Sequence, residues 1–552
     1  MHEIVTLQLG QFSNFVGAHF WNAQVPRLLG SLLRLDLPCR WSSQDAYFMY
    51  GEGAPEPEIA HDVLFRSGVT QRGIETYTPR LLVYDLKGAL RLRGFGSLKR
   101  FNKLFENKPD DAIESTWDHN VQQFAQEQYP RNEYLRKLEE EEQGVQGVPF
   151  RYHISPFDQI QVDEHRLDEQ VHQWSDYNRI FYHPHSINQL TQYQLDNEFK
   201  PFDVYSFGRD AYVDMEKEQE TFDENFRFFT EECDAVQGFQ LLTTTFDGFG
   251  GFARSLIEDI RDEYPKTPIV TFGFSNPSEV TKNPNLPYHT SALLSAGIEN
   301  ASLVYRLKNN SAFMGDLLNN INWRQNTKIG SLSLAFPLPL TPPFHGYNDG
   351  SKIIVDGAQS ILKDLSTRPN GQSEVLLLLP NSLRFCVEGL FLVFFTVYQK
   401  ESVFAQSLVL RGVPPSQDSR QKPTRPEFTY ELLDKFTSIN ERFSVRYSVD
   451  TAYPLPDSFP RIFSGLDAYG LIDPLLHHPG APAPQPRYVP VLSRLSTTTQ
   501  TRHMLQAHIN ALRRINFKQF PEYGEGVRGV MHDDLEEVKE ELIGLTEVYD
   551  ES

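Results

Sequence analysis

Between Gln237 and Phe272 the chain reads QGFQLLTTTFDGFGGFARSLIEDIRDEYPKTPIVTF. Gln240–Thr245 is a β-prone run, and Asp247, Gly248, Gly250 and Gly251 form a turn. Ser255–Tyr264 follows with Leu256, Ile257 and Ile260 on one helical face, and Ile269–Phe272 is the next buried strand. A glycine turn entering a helix presents backbone N–H groups that can cradle a phosphate. The same residues also suit a strand–helix unit with a tight turn and no ligand, and the spacing leaves both readings open. Asp85 stands at the end of the apolar run Leu81–Tyr84, where open α/β sheets bind ligands. Gly10 closes a first strand over Glu3–Leu9 and precedes a helix over Asn14–Trp21, an entry shared by nucleotide-binding and other α/β domains. Other constellations carry less. His183 and His185, like His477 and His478, lack carboxylates or cysteines at ligand spacing, so packed or surface histidines are expected rather than a metal pair. No GxSxG, HExxH or GxxxxGK[ST] motif occurs.

The elements that must hold these residues belong to a large globular chain. Its 552 residues, 39% hydrophobic and 23% charged, suffice for several domains with sizeable cores. A net charge of -21 is ill suited to wrapping nucleic acid or adhering to anionic lipid, since both rest on cationic groups. The cysteines Cys39, Cys233 and Cys386 lie far apart, which predicts neither a disulfide framework nor a cysteine zinc site. MHEIVTLQLGQFSNF has neither the basic start and apolar core of a signal peptide nor the arginines of a transit peptide. The most apolar stretch, Val375–Tyr398, is interrupted by Pro380, Asn381, Arg384 and Glu388, so no transmembrane span is expected. Phe105–Gln170 is polar and charged, and its four acids Glu139–Glu142 read as a solvated face. Asp214–Val236 reads as one amphipathic helix with Phe222, Phe226, Phe229 and Cys233 inward, which makes Cys233 a core residue rather than a nucleophile. Further along, a strand over Phe404–Leu410, a helix over Thr498–Arg514 and an acidic helix or tail over Asp533–Glu551 are expected.

Several of these runs resemble one family. EIVTLQLGQFSNFVGAHFW resembles the opening of tubulins, whose first strand ends in a GQ-x-x-N turn over the nucleotide. TYTPRLLVYDLKG at Thr76–Gly88 resembles the tubulin strand that ends in an aspartate loop, and Gln237–Gln240 with IRDEYP resembles the surroundings of the tubulin glycine loop. The combination of TLQLGQF, VGAHFWN, ETYTPRLLVYDLKG, WSDYNRIFYHP (Trp174–Pro184), ECDAVQGFQ and AQSLVLRG (Ala405–Gly412) is narrower and is similar to the Misato family of tubulin/FtsZ-related proteins.

The resemblance implies an α/β fold: a tubulin/FtsZ-like nucleotide-binding domain with a parallel sheet, then a smaller α+β second domain and C-terminal helices. On that basis the chain divides into an N-terminal tubulin-like segment (1–115), a polar variable insert (116–170), a tubulin-like domain with a degenerate glycine loop (171–330), a second α+β domain (331–515) and an acidic helix or tail (516–552). The implied nucleotide contacts are Gly10, Gln11, Asn14, Asp85, Gly248, Gly250 and Gly251, with GTP as the candidate cofactor and Asn300, Asn309 or Asn319 as purine-edge candidates. No metal ligand and no catalytic residue is assigned. Phe12 and Phe15 replace a smaller residue and a glutamine of true tubulins, Lys87 replaces an acid, and DGFGG replaces the loop GGGTGSG. Lysine cannot ligate Mg²⁺, and Asp247 brings a negative charge toward the phosphate position. Leu317–Pro343 holds no Asp or Glu to serve as the catalytic acid of a neighbouring subunit.

The resemblance implies a tubulin-like role in mitochondrial distribution and morphology and in inheritance of mitochondrial DNA, and the replaced residues make a non-catalytic one the expectation. It would act at the cytosolic face of the mitochondrion and in the cytoplasm, through protein partners such as tubulin, chaperonin or mitochondrial surface proteins, with no direct contact to nucleic acid. The rival readings are an active, polymer-forming GTPase and a cytosolic helper of tubulin assembly. Val25–Ser43, VPRLLGSLLRLDLPCRWSS, interrupts the family pattern and reads as a loop or, preferably, as a retained intron; Leu390–Tyr398 is given the same origin.

Overall fold

The computed structural model describes residues 2–24, 58–69, 75–89, 134–135, 167–274, 287–308, 312–322, 326–336, 390–395, 403–412, 443–463, 466, 470, 486–516 and 532–550. Its centre is strand β1, Glu3–Leu9, buried along its whole length. Val5, Leu7 and Leu9 enter one apolar cluster while Ile4 enters the other, so both faces are covered, as parallel strands require. β4 (Leu81–Lys87) and β6 (Val236–Thr244) flank β1 in parallel, with Leu9 opposite Tyr84 on one side and Thr243 on the other. β5 (Ile187–Gln194) lies outside β4, and β7 (Ile269–Phe274) outside β6.

The parallel run continues through β9 (Leu390–Phe395) to β8 (Ile329–Ala335). Beyond β8 the pairing turns antiparallel through β14 (Val491–Thr498) to β10 (Val403–Arg411), and β11 (Ser444–Val449) closes the edge. One sheet of ten strands thus carries both the nucleotide-domain strands and the strands of the second half. Leu390–Phe395, within the stretch read as intronic, thus pairs on both sides in the middle of this sheet, and the mature transcript is the test of its origin. Two small ribbons complete the sheets: β2 (Phe65–Val69) with β3 (Glu75–Pro79), and β12 (Tyr453–Pro454) with β13 (Tyr488–Val489).

Helices cover both faces. α1 (Gln11–Gln24) and α4 (Pro287–Ser302) pack on the Ile4 side; α2 (Tyr205–Gln219) and α3 (Phe249–Glu263) pack on the Leu7 side. The short α5 (Met314–Ile321) sits with the first pair, and α6 (Gln500–Arg514) and α7 (His532–Val548) with the second. The single amphipathic helix expected over Asp214–Val236 is broken. α2 ends where Glu220 turns left-handed (φ 48°), and a π-turn over Phe222–Phe226 then leads into Arg227–Glu231. The apolar spacing survives the break, since Phe226 and Phe229 are fully buried and burial pushes the Cys233 thiol up to about 11. The C-terminal helix is anchored by Tyr549, whose hydroxyl accepts from the Ile329 N–H (2.7 Å) and donates to the Ile329 carbonyl (2.8 Å). No described helix is long and apolar enough to cross a membrane. Val25–Ser43, Glu139–Glu142, His477, His478, Asn309, Cys39 and Cys386 lie outside the described residues.

Candidate functional site

Three chain reversals meet at the C-terminal end of the central strands. Gly10 leaves β1 with φ +92°, and its N–H donates to the Tyr84 carbonyl at 3.0 Å. A Cβ there would lie 2.8 Å from both the Phe249 ring and Thr244 Oγ1, so glycine is required by conformation and by closeness. The Asn14 amide, one turn into α1, donates to Asp85 Oδ2 at 2.8 Å and to the Tyr84 carbonyl at 3.3 Å. Gly10, Asn14, Asp85 and the start of α3 are therefore brought together. Gln11 turns aside, its amide donating to Gln173 Oε1 at 2.9 Å.

The Asp85 carboxyl is fully buried and already surrounded. Oδ1 accepts from the Leu86 N–H at 2.8 Å, and Oδ2 accepts from Trp174 Nε1 at 3.0 Å as well as from Asn14. Trp174 arrives on a 3-10 turn, Trp174–Asp176, held by Asp176 accepting from the backbone N–H groups of His172 and Gln173. The chain then runs along α1. Tyr177 donates its hydroxyl to the Phe15 carbonyl (2.9 Å), and Asn22 bridges the Tyr177 carbonyl and the Arg179 N–H, each at 2.9 Å. The His19 ring lies between Tyr177 and Tyr288, 4.5 Å and 5.2 Å between centroids, and burial pushes it down to about 3, which keeps it neutral. Sequence reasoning used WSDYNRIFYHP only as a family mark and missed this role. The available signal was its density of aromatic rings beside Asp176 and Asn178 in an otherwise polar region. Farther along the same segment, His183 and His185 stack on Phe228 at 4.6 and 4.7 Å.

The glycine loop differs from its expected form. α3 begins at Phe249, so Gly250 and Gly251 lie in its first turn rather than in a preceding loop. Its N-terminal donors are occupied from within. Gly248 N–H donates to the Phe202 carbonyl (2.9 Å), Phe249 N–H to Asp247 Oδ1 (2.9 Å), Gly250 N–H to the Asp247 carbonyl (3.3 Å) and Gly251 N–H to the Gly248 carbonyl (3.0 Å). Asp247 is thus an N-terminal cap, held in turn by the Thr244 hydroxyl at 2.5 Å. The glycines serve packing. A Cβ on Gly251 would lie 2.0 Å from the Tyr205 carbonyl oxygen, one on Gly208 1.7 Å from the Gly248 carbonyl oxygen, and one on Gly248 2.8 Å from the Phe202 ring. α2 and α3 cross at these contacts. Gly250 alone in the loop has room, its nearest neighbour being the Thr244 carbonyl oxygen at 3.9 Å.

The electrostatics follow from enclosure. Burial pushes Asp85 up to about 6 despite its three donors, and pushes Asp247 up to about 7, with the charge of Asp85 adding to the second shift. Phe249, 1% exposed, packs its ring 5.0 Å from Phe202, and Phe12 meets Phe274 at 5.8 Å. Asn300 is not at this cleft: its amide donates to the Val409 carbonyl (3.0 Å) and Ser493 Oγ (2.8 Å) where the two halves meet, and Asn319 is exposed on α5. A nucleoside triphosphate needs free N–H donors, a cationic or metal counter-charge and a purine-edge partner. Here the donors at the start of α3 are capped and two buried acids, Asp85 and Asp247, stand where a counter-charge is needed, so these residues do not fit that group. Among the described residues no three His, Cys, Asp or Glu side chains are grouped to hold a metal ion.

Comparison with known proteins agrees with the architecture. Residues 165–286 match the tubulin domain family, and residues 2–29 and 40–140 match the Misato segment II tubulin-like domain. The break at 30–39 falls inside the inserted Val25–Ser43. The chain is 31% identical to protein dml1 of Aspergillus clavatus over 477 residues, covering 83% of this chain and 86% of that protein. It is 28% identical to protein dml-1 of Neurospora crassa, with 84% and 86% covered. Human protein misato homolog 1 is 25% identical over an alignment covering 99% of this chain and 98% of that protein. On these matches and this sheet, the chain belongs to the Misato/DML1 family of tubulin-like proteins.

Proposed function

We propose that this protein is a tubulin-like scaffold without nucleotide turnover, acting through protein partners in the distribution and morphology of mitochondria and the inheritance of mitochondrial DNA. The carrying observation is that Asp85 and the first turn of α3, which in a tubulin-like site would face phosphate, are bonded to Trp174, Asn14 and Asp247 of the same chain. The mitochondrial part rests on the family resemblance, and the proposed site of action is the cytosolic face of the organelle and the cytoplasm. Tubulin, chaperonin and mitochondrial surface proteins are the partner classes to examine.

The deciding experiment incubates purified full-length protein with GTP and Mg²⁺. The expected result is no nucleotide retained after gel filtration and no phosphate release above buffer. Stoichiometric retention would overturn the scaffold reading in favour of a GTP switch. In cells, depletion should collapse or cluster the mitochondrial network, and an Asp85→Asn, Asp247→Asn double variant should restore it as well as the unaltered chain does. A network that is normal after depletion would remove the mitochondrial role.

A further inference from the structure

Away from the cleft, the C-terminal helices present an outer face of their own. α6 and α7 run antiparallel, since the Arg502 guanidinium in the first turn of α6 meets the Asp550 carboxylate just past α7 at 2.6 Å. Their inner faces are apolar and buried: Met504, Leu505 and Ile509 on α6 join Leu542 and Tyr549 in one core cluster. The opposite faces are exposed. Ala507, Asn510 and Arg514 recur at helical spacing on the outer side of α6, and Glu540, Gly544 and Glu547 on that of α7.

The two helices differ in sign. α6 contains no Asp or Glu and ends in Arg513 and Arg514, whereas α7 is acidic along its length, with Lys539 bonded to its own Glu536. Arg513, Arg514, Glu540 and Glu547 enter no ion pair among the described residues. Counting inward from Arg502 and Asp550 brings Ala507 about level with Gly544. The outer surface is low there. A Cβ on Gly544 would meet nothing within 4 Å, so packing inside the described chain does not call for glycine, which weakens a helix. Beside this hollow Ile543 is 39% exposed, a large apolar side chain among glutamates.

We propose that this face joins a second copy of the chain in a two-fold dimer, α6 of each copy crossing α7 of the other. A two-fold contact must be self-complementary, and this face supplies both members of each match. Ile543 is the knob, and the hollow at Ala507 and Gly544 receives it. The basic end of α6 meets the acidic side of α7. A partner of one sign alone would match one helix and be repelled by the other, whereas a second copy satisfies both. An apolar centre within a charged rim is also how protein interfaces are built. The contact is independent of the nucleotide reading of the cleft.

Sedimentation velocity of the full chain between about 1 and 100 µM should show a monomer converting to a dimer. Gly544→Leu fills the hollow from an open position, so it should leave the thermal midpoint unchanged or raise it while abolishing the dimer. A sharper test exchanges signs. One variant carries Glu540→Lys with Glu547→Lys, the other Arg513→Glu with Arg514→Glu. Each should be monomeric alone, because like charges then face each other in both crossings. Mixed in equal amounts they should form a heterodimer, since every crossing again joins opposite signs. A chain that stays monomeric at about 100 µM would overturn the proposal. So would a dimer that persists in Gly544→Leu or in either charge variant alone, or a mixture that stays monomeric.

Discussion

The cleft and the junction treat charge in opposite ways. At the cleft, where the tubulin resemblance implies a polyphosphate, Asp85 has three donors and Asp247 caps the helix, so the chain itself occupies the Asp85 carboxyl and the N–H groups that open α3. At the junction of the two halves of the sheet, the buried carboxylate of Glu299, on α4, is instead paired with the guanidiniums of Arg306 and Arg411. The contrast teaches that retained ancestral residues do not by themselves mark the place of ligand chemistry. Gly10, Asn14 and Asp85 still converge, yet their contacts are internal; Glu299 and Arg306, outside every family motif quoted above, carry the buried charge.

The largest effect expected from breaking this contrast lies at the junction. Glu299→Gln removes the buried carboxylate that pairs with both guanidiniums and should destabilise the protein by about 3–5 kcal/mol. Urea unfolding measures it; a loss under 1 kcal/mol would mean that the pair is solvated and the two regions are alike. Next comes the crossing of α2 and α3. Gly251→Ala forces a methyl to 2.0 Å from the Tyr205 carbonyl oxygen and should cost about 3 kcal/mol as the helices part. A phosphate-cradling glycine would instead tolerate the change in stability while losing nucleotide.

The paired acids give a smaller, pH-dependent effect. Burial pushes Asp247 from its ordinary 3.8 up to about 7, so the folded state keeps a proton that the unfolded chain has lost across that window. Stability therefore falls as pH rises from about 4 through 7, with Asp85 contributing in the same direction up to about 6. Asp247→Asn retains the acceptor for Phe249 and removes the ionisable group. It should be more stable than the unaltered chain by on the order of 2 kcal/mol at about pH 8, with the two converging near pH 4. Unfolding midpoints across that range check it; a variant weaker at the upper end would show that the charged cap outweighs its burial.

How much of this was legible depends on distance along the chain. Strand periodicity is local, so β1 was read at its observed bounds and β4, β6, β7 and β10 within two or three residues, except that β6 begins four residues earlier, at Val236. Family motifs gave the tubulin-like α/β fold and the convergence of Gly10, Asn14 and Asp85. The occupants of the cleft were not legible, because Trp174 reaches Asp85 across 89 residues and Tyr177 reaches Phe15 across 162. The start of α3 was misread for a different reason. Glycine lowers helix propensity, so Gly250 and Gly251 looked like loop, while the cap from Asp247 and the close crossing with α2 hold them helical. Asn300 was misplaced because a buried amide in an apolar helix looks the same whether it reads a purine or ties Val409 and Ser493 together.

The smallest effect is the most discriminating, because its sign differs between the two accounts of the loop. Gly250 has no positive φ, and a Cβ there would meet nothing nearer than the Thr244 carbonyl oxygen at 3.9 Å. Gly250→Ala therefore adds a methyl without a clash and restricts only the unfolded chain, so it should raise stability by about 0.5 kcal/mol. If α3 opened on a bound phosphate, the same methyl would stand beside the ligand and the variant would lose whatever nucleotide the protein retains. A modest rise in the thermal midpoint with no change in nucleotide content supports the self-capped helix. A fall in both would place a ligand where Asp247 now sits, and would make the cleft a region of open chemistry.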